Sequence, residues 1–225
     1  MSELRVRVVG DRDASGAPVV VLLHGFGAPG DDLVSLAREL NVAEGTRFVF
    51  PEALLDLGPM YMGGRAWWYI DLEERMRREA KREPRNLDEV PEGVSEARNA
   101  VNALLDHIEQ TMKPSKLVLG GFSQGAMLSL DVALRSSRAL AGIVLMSGTH
   151  IARGEWAPLL SGRKNLPTFM SHGTEDPILP FQTSLDLKGT LAAAGWPIDW
   201  ISFRGGHGIP ANVLTGVSTF LSRVL

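Results

Sequence analysis

The 225-residue chain contains no cysteine. That excludes disulfides, a thiolate nucleophile and any thiolate-ligated metal. No apolar run approaches the roughly 20 residues needed to span a bilayer, so no membrane span is expected. The net charge of −3 provides no basic surface on which to expect nucleic acid. The opening residues Met1-Ser2-Glu3-Leu4-Arg5 lack the basic-then-apolar layout of a signal peptide, which predicts a cytoplasmic protein. Internal repeats, low-complexity tracts and linkers are also missing, so residues 1–225 read as a single domain. What is abundant is apolar residues, 44% of the chain, enough for a sizeable core.

Strand-like and helix-like segments alternate. Leu4–Val9, Val19–Leu23, Arg47–Phe50, Lys116–Leu119, Leu140–Met146, Pro167–Ser171 and Ile198–Phe203 read as strands. Helical patterns cover Asp31–Leu40, Glu92–Thr111, Gln124–Ser136, Phe181–Ala194 and Pro210–Val224. Short Val-, Leu- and Ile-rich strands with helices between them predict an α/β fold, a mostly parallel sheet covered on both faces.

The most informative motif is Gly121-Phe122-Ser123-Gln124-Gly125, between the apolar run Lys116–Leu119 and the helical stretch that follows. In that setting G-x-S-x-G is a nucleophile elbow, a tight strand-to-helix turn that raises the serine hydroxyl above the sheet. A hydroxyl needs an adjacent base, itself oriented by a third group. Asp176 follows the strand Pro167–Ser171, and His207 follows the strand Ile198–Phe203. The order serine, acid, histidine and the location of all three beyond strand carboxyl ends fit a triad on the ligand-binding edge of a parallel sheet. Glu175 is the rival acid, but the short Asp176 side chain before Pro177 holds a more fixed direction. His172 is too near the acid in sequence to act as its base, His107 lies on a solvated helix face, and His150, after a strand end, reads as a loop residue with pocket lining as the alternative.

The oxyanion formed in such a reaction needs two backbone N–H donors. One is expected from Gln124, the residue after the nucleophile. The other is expected from Phe26, in the glycine-rich loop His24-Gly25-Phe26-Gly27 after the strand Val19–Leu23, with His24 holding that loop by hydrogen bonds.

Taken together, Leu23-His24-Gly25-Phe26-Gly27, Gly120-Gly121-Phe122-Ser123-Gln124-Gly125, His172-Gly173 with Asp176-Pro177, and Gly205-Gly206-His207 resemble the bacterial carboxylesterase, phospholipase and acyl-protein thioesterase family of α/β-hydrolases. The resemblance runs from about Val19 to the C-terminus. It implies an α/β-hydrolase fold and hydrolysis of carboxylic esters or acyl thioesters without a cofactor. The implied roles fall on Ser123, Asp176, His207, Phe26 and Gln124. One departure is Ala126, where such sequences often carry a second glycine.

The alternation lapses over residues 56–91, an expected cap or substrate-loop insertion. Four of the fifteen aromatics fall within Tyr61–Tyr69. There Trp67 or Trp68 is the candidate wall of an acyl pocket, packing onto the domain being the plainer alternative. Asp71–Arg85, dense in both charges, reads as a solvated helix with ion pairs at i,i+4 spacing. The resulting expectation is a carboxylesterase acting on small to medium acyl esters. Alternatives are a thioesterase or lysophospholipase for long chains, or a non-catalytic hydrolase-like binding module. Ile151–Leu160 and the aromatic loop are expected as pocket lining or homodimer contacts.

Overall fold

The structure, a computed structural model, describes residues 4–10, 16–81, 83 and 86–225. Seven strands form one sheet: β1 (Val6–Val9), β2 (Val19–Leu23), β3 (Arg47–Pro51), β6 (Leu117–Phe122), β7 (Gly142–Met146), β8 (Thr168–Gly173) and β9 (Ile198–Phe203). Their order is β1-β3-β2-β6-β7-β8-β9, with β1 antiparallel at the edge and the others parallel. The order reverses between β2 and β6, and at such a switch point two loops diverge and leave room for a ligand.

Side-chain alternation along β2 divides the core. Val19, Val21 and Leu23 pack beneath α3 (Val94–Thr111), α4 (Gln124–Arg135) and α6 (Phe181–Ala193). Val20 and Leu22 face the other way, toward α1 (Leu36–Glu39) and α7 (Ala211–Val224). Both faces are therefore covered, and the central strands are apolar at almost every position.

The helical pattern from Asp31 to Leu40 forms a helix only over α1. Before it, the amides of Asp32, Val34 and Leu36 bond carbonyls three residues back, so tight turns replace the expected first helical turns. The 56–91 segment holds more order than its composition suggests. It carries β4 (Leu55–Asp56) and β5 (Arg65–Ala66), which pair antiparallel, and α2 (Leu72–Ala80). On α2, Glu74 pairs with Arg77 at 3.0 Å and with Arg78 at 3.9 Å. The expected charged stretch continues into residues 82, 84 and 85, which lie outside the described residues, as do Met1-Ser2-Glu3 at the start.

Ile151–Leu160, expected as pocket lining or dimer contacts, packs most of its apolar side chains inward, with Ile151 also lining a cavity. Ile151, Ala152, Trp156 and Leu160 join the core beside α4, and Trp156 is anchored by donating its indole N–H to Asp131 at 2.8 Å. A short helix, α5 (Arg153–Trp156), supplies the turn that buries them. Among the described residues no helix is long and apolar enough to cross a membrane.

Candidate active site

Ser123 stands between the last residue of β6 and the first of α4, at φ 55° and ψ −117°. A positive φ on a non-glycine residue costs of the order of 1–3 kcal/mol and persists only where its surroundings impose it. Here they do. The Ser123 N–H donates to the Met146 carbonyl at 2.8 Å, and the Ser123 carbonyl accepts from Ala126 and Met127 at 3.0 and 3.2 Å. Gly121 and Gly125 let β2, β6 and α4 converge beneath the turn, where a Cβ on either would overlap the Leu23 carbonyl oxygen. Ala126, the departure from the family pattern, is buried facing Gly148, whose missing side chain leaves it room.

Asp176 and His207 are brought together by the loops after β8 and β9. Thr174 N–H donates to Phe203 O at 2.8 Å, and Glu175 N–H to Gly205 O at 2.9 Å, lacing the loops side by side. Gly173 permits this approach, since a Cβ there would overlap the Gly205 and Gly206 carbonyls. The His207 Nδ1–H then donates to Asp176 Oδ2 at 2.6 Å. Asp176 Oδ1 accepts the Ile178 and Leu179 N–H groups at 2.8 and 2.9 Å. Burial works against the Asp176 carboxylate, but these amides and His207 outweigh it and hold its pKa below the ordinary value. Glu175, the rival acid, points outward to Arg204 at 3.0 Å, with both side chains well exposed.

With its Nδ1–H committed to Asp176, the imidazole has Nε2 left to take a proton. Its ring centroid lies 4.8 Å from that of Phe122, the neighbour of Ser123. The nucleophile, acid and base candidates thus converge at the carboxyl edge of β6, β8 and β9. Among the described residues no group of three or more His, Cys, Asp or Glu is arranged to hold a metal ion.

Gln124 opens α4, so its N–H has no carbonyl one turn back within the helix. Across from it, the β2 loop passes so close that a Cβ on Gly25 would lie 3.4 Å from Ser123 Cβ. In that loop Gly27 N–H donates to Arg65 O and Ala28 N–H to Gly25 O, and the Phe26 amide lies before them. His24 is buried, and burial, the largest influence, lowers its pKa and keeps the ring neutral. Its Nε2 accepts the Ala53 N–H at 3.1 Å, so the proton sits on Nδ1, which donates to Gly25 O at 2.8 Å. His24 is a brace for this loop.

Sequence reasoning assigned Gln124 a role only through its backbone. Its buried side chain also clamps the aromatic loop: Oε1 accepts the Trp67 N–H at 2.9 Å and Nε2 donates to Trp68 O at 2.8 Å. Trp67 in turn donates its indole N–H to His24 O at 2.9 Å and lies wholly within the core. Arg65 was also missed. Its backbone exchanges hydrogen bonds with Gly27 and Ala28, while its guanidinium donates to Ala53 O and Leu54 O. The aromatic segment is therefore the scaffold of the glycine-rich loop after β2, and no local pattern announces the contact between Gln124 and Trp68, 56 positions earlier.

Trp68 and Trp67 part company here. Trp68, with Met127, Ile151 and His150, lines a cavity of about 380 Å³ whose lining includes none of Ser123, Asp176 and His207, while Trp67 lies in the core. The lining also includes Glu74, Arg78, Glu83 and Glu89. His150, which reads as a loop residue, is buried against this cavity, while His107 is exposed on α3 as expected.

The chain matches the phospholipase/carboxylesterase family model over residues 5–225. It is 30% identical over 220 residues to acyl-protein thioesterase 1 of Kluyveromyces lactis, covering 92% of each chain. With acyl-protein thioesterase 1 of Emericella nidulans it shares 30% identity over 179 residues, 72% of this chain and 71% of the relative. Among solved structures, esterase PE8 superposes over the full length of both chains with a TM-score of 0.82 and 26% identity. Acyl-protein thioesterase 2 of Zea mays shares the fold, with a TM-score of 0.72 at 22% identity over 98% of each chain. With the strand order, the elbow and these relatives agreeing, the chain belongs to the phospholipase/carboxylesterase family of α/β-hydrolases.

Proposed function

We propose that this hydrolase cleaves carboxylic esters of small to medium acyl groups through an acyl-enzyme on Ser123. Ser123 Oγ attacks the ester carbonyl as His207 Nε2 takes its proton. Asp176 orients the imidazole and stabilises its charged form, and the Phe26 and Gln124 amides receive the oxyanion. Collapse of the tetrahedral intermediate expels the alcohol, protonated by His207. Water then loses a proton to His207, attacks the acyl-enzyme and releases the acid with Ser123 restored. The observation that carries this reading is the 2.6 Å His207–Asp176 hydrogen bond beside a strained serine at the carboxyl edge of the sheet.

The cavity supports the chain-length preference. Besides Trp68, Met127 and Ile151 its lining includes Glu74, Arg78 and Glu83, and burying an alkyl chain against charged groups forfeits the gain from apolar burial. The second reading, a thioesterase or lysophospholipase for long acyl chains, draws on the names of the fungal relatives. Met60 and Met62, 91% and 94% exposed on the β4–β5 loop, provide apolar surface outside the cavity that suits a longer chain.

Initial rates on p-nitrophenyl esters of two to sixteen carbons, with matched acyl thioesters and a Ser123→Ala control, separate these readings. A peak at short to medium oxygen esters that disappears in Ser123→Ala is the expected result. A peak at long acyl chains or thioesters selects the second reading. A wild-type protein that neither turns over any of these substrates nor labels with a fluorophosphonate would overturn both and leave a binding module.

A further inference from the structure

The peptide group between Gly25 and Phe26 is gripped by its oxygen. Gly25 O accepts the His24 Nδ1–H at 2.8 Å and, at a longer 3.4 Å, the Ala28 N–H. This peptide is trans, so its C=O and N–H point in opposite directions. The short bond that holds Gly25 O therefore also sets where the Phe26 N–H points. Among the described residues no carbonyl accepts that N–H. The His24 ring is fixed on its far side as well. Its Nε2 accepts the Ala53 N–H at 3.1 Å, and the ring centroid lies 5.5 Å from that of Trp67.

We infer that His24 is a positioning residue for the oxyanion donor: its Nδ1–H holds the Gly25–Phe26 peptide with the Phe26 N–H turned toward the site of the developing charge. This assignment rests on the oxyanion-hole reading above. Three hydrogen bonds then run in one direction, Ala53 N–H to Nε2, Nδ1–H to Gly25 O and Phe26 N–H to the oxyanion. Each donor in such a chain is polarised by the one behind it, so His24 strengthens the Phe26 N–H as well as aiming it. The other supports of the loop act further along the chain. Arg65 exchanges backbone bonds with Gly27 and Ala28, and Gly64 sits against Gly27 O. On the Gly25–Phe26 peptide itself, the short bond is that of His24.

The two ring nitrogens can be replaced one at a time. In His24→Asn the amide nitrogen falls where Nδ1 stood and still donates to Gly25 O, while the Ala53 N–H loses its acceptor. In His24→Gln the amide reaches the position of Nε2 and still accepts the Ala53 N–H, while Gly25 O loses its short bond. Each variant gives up one hydrogen bond, so a ring that only braced the loop makes them equivalent. A positioning residue makes them unequal.

For His24→Gln, kcat on a p-nitrophenyl ester is expected to fall by about 10- to 100-fold at little-changed KM, somewhat less than for a missing oxyanion donor because the amide is turned rather than removed. His24→Asn is expected to recover most of that loss. An alkyl trifluoromethyl ketone reads the oxyanion directly. Ser123 Oγ bonds its carbonyl carbon, the hydroxyl proton passes to His207, and the carbonyl oxygen becomes an anion between the two amides. Its affinity is expected to weaken in His24→Gln by the same factor as kcat/KM. A His24→Gln as active as wild type, a His24→Asn no better than His24→Gln, or a ketone affinity that stays while kcat falls would overturn the inference. In the wild type, the His24 Nδ1 and Phe26 amide proton resonances are expected to move downfield together when the ketone binds. Ketone binding that leaves the His24 resonance in place overturns the inference even where the variants do not fold. A wild type that neither hydrolyses esters nor binds the ketone would instead sink the hydrolase reading and the inference with it, whereas the other outcomes leave hydrolysis intact.

Discussion

The elbow and the segment that crosses beside it are built on opposite terms. Around Ser123 the backbone of β2, β6 and α4 meets so closely that Gly121 and Gly125 cannot carry a methyl group, and the serine is held in a strained conformation by hydrogen bonds at its N–H and C=O. Between Leu55 and Pro91, by contrast, the chain alternates anchored and open positions. Trp67 and Trp68 are buried and clamped by Gln124, while Met60, Met62 and Tyr69 stand in solvent. The difference separates two tasks. The reacting group needs a geometry that nothing can relax, and rigid backbone supplies it. A segment proposed to face substrate needs a firm root and side chains free to vary, since specificity lies on what the scaffold carries.

The sharpest break in that comparison strikes the rigid side through chemistry alone. Asp176→Asn, which cannot stabilise the imidazolium and favours the wrong tautomer of His207, is expected to lower kcat by about 10⁴ while stability changes far less; steady-state kinetics beside thermal unfolding measure both. Next comes the backbone itself. Gly125→Ala is expected to destabilise the fold by about 3 kcal/mol or more, because the new methyl group would overlap the Leu23 carbonyl and rigid packing has no way to yield; denaturant unfolding gives the value. Gln124→Leu attacks the junction between the two regions. It leaves the buried Trp67 N–H and Trp68 C=O without their partner, an expected loss of about 2–4 kcal/mol, visible as a shift of the unfolding midpoint and of tryptophan fluorescence. Met62→Ser, at a tip 94% exposed, is expected to change stability by less than about 0.5 kcal/mol. If its activity loss grows with acyl length, that side chain contacts the substrate.

Acid should expose the same asymmetry. His24 and His172 have folded pKa values lowered first by burial, so the unfolded chain binds more protons than the folded one just below the ordinary value of 6.5. Stability therefore rises with pH through that region and falls on acidification below about 6.5. Asp176, also lowered, adds a further loss near and below its ordinary value of 3.8. Urea midpoints measured between pH 8 and 5 are expected to fall, and His24→Asn, which retains an uncharged side chain able to hydrogen-bond the loop, to flatten that dependence.

Several features were open to reading because they are local. Val19–Leu23 and Ile198–Phe203 form strands over the spans their apolar content marks, and the elbow appears where Gly121 to Gly125 places it. The order of Asp176 and His207 after their strands was equally legible, since parallel strands send all their following loops to one edge. The charged α2 and the ion pairs of Glu74 follow from spacing along one helix. Where local pattern misled, the competing force was tertiary. Asp31–Ser35 has helical composition but takes tight turns on its way to α1.

The amino-acid sequence by itself determined the alternating architecture, the elbow and the identity of its nucleophile, acid and base candidates, because each depends on spacing along one stretch of chain. Only the tertiary structure decided that Trp68 lines the cavity while Trp67 braces the glycine-rich loop after β2, and that the Gln124 side chain clamps both. Those outcomes turn on contacts between residues as far as 57 positions apart, and such contacts exist only once the sheet has brought its loops to one edge.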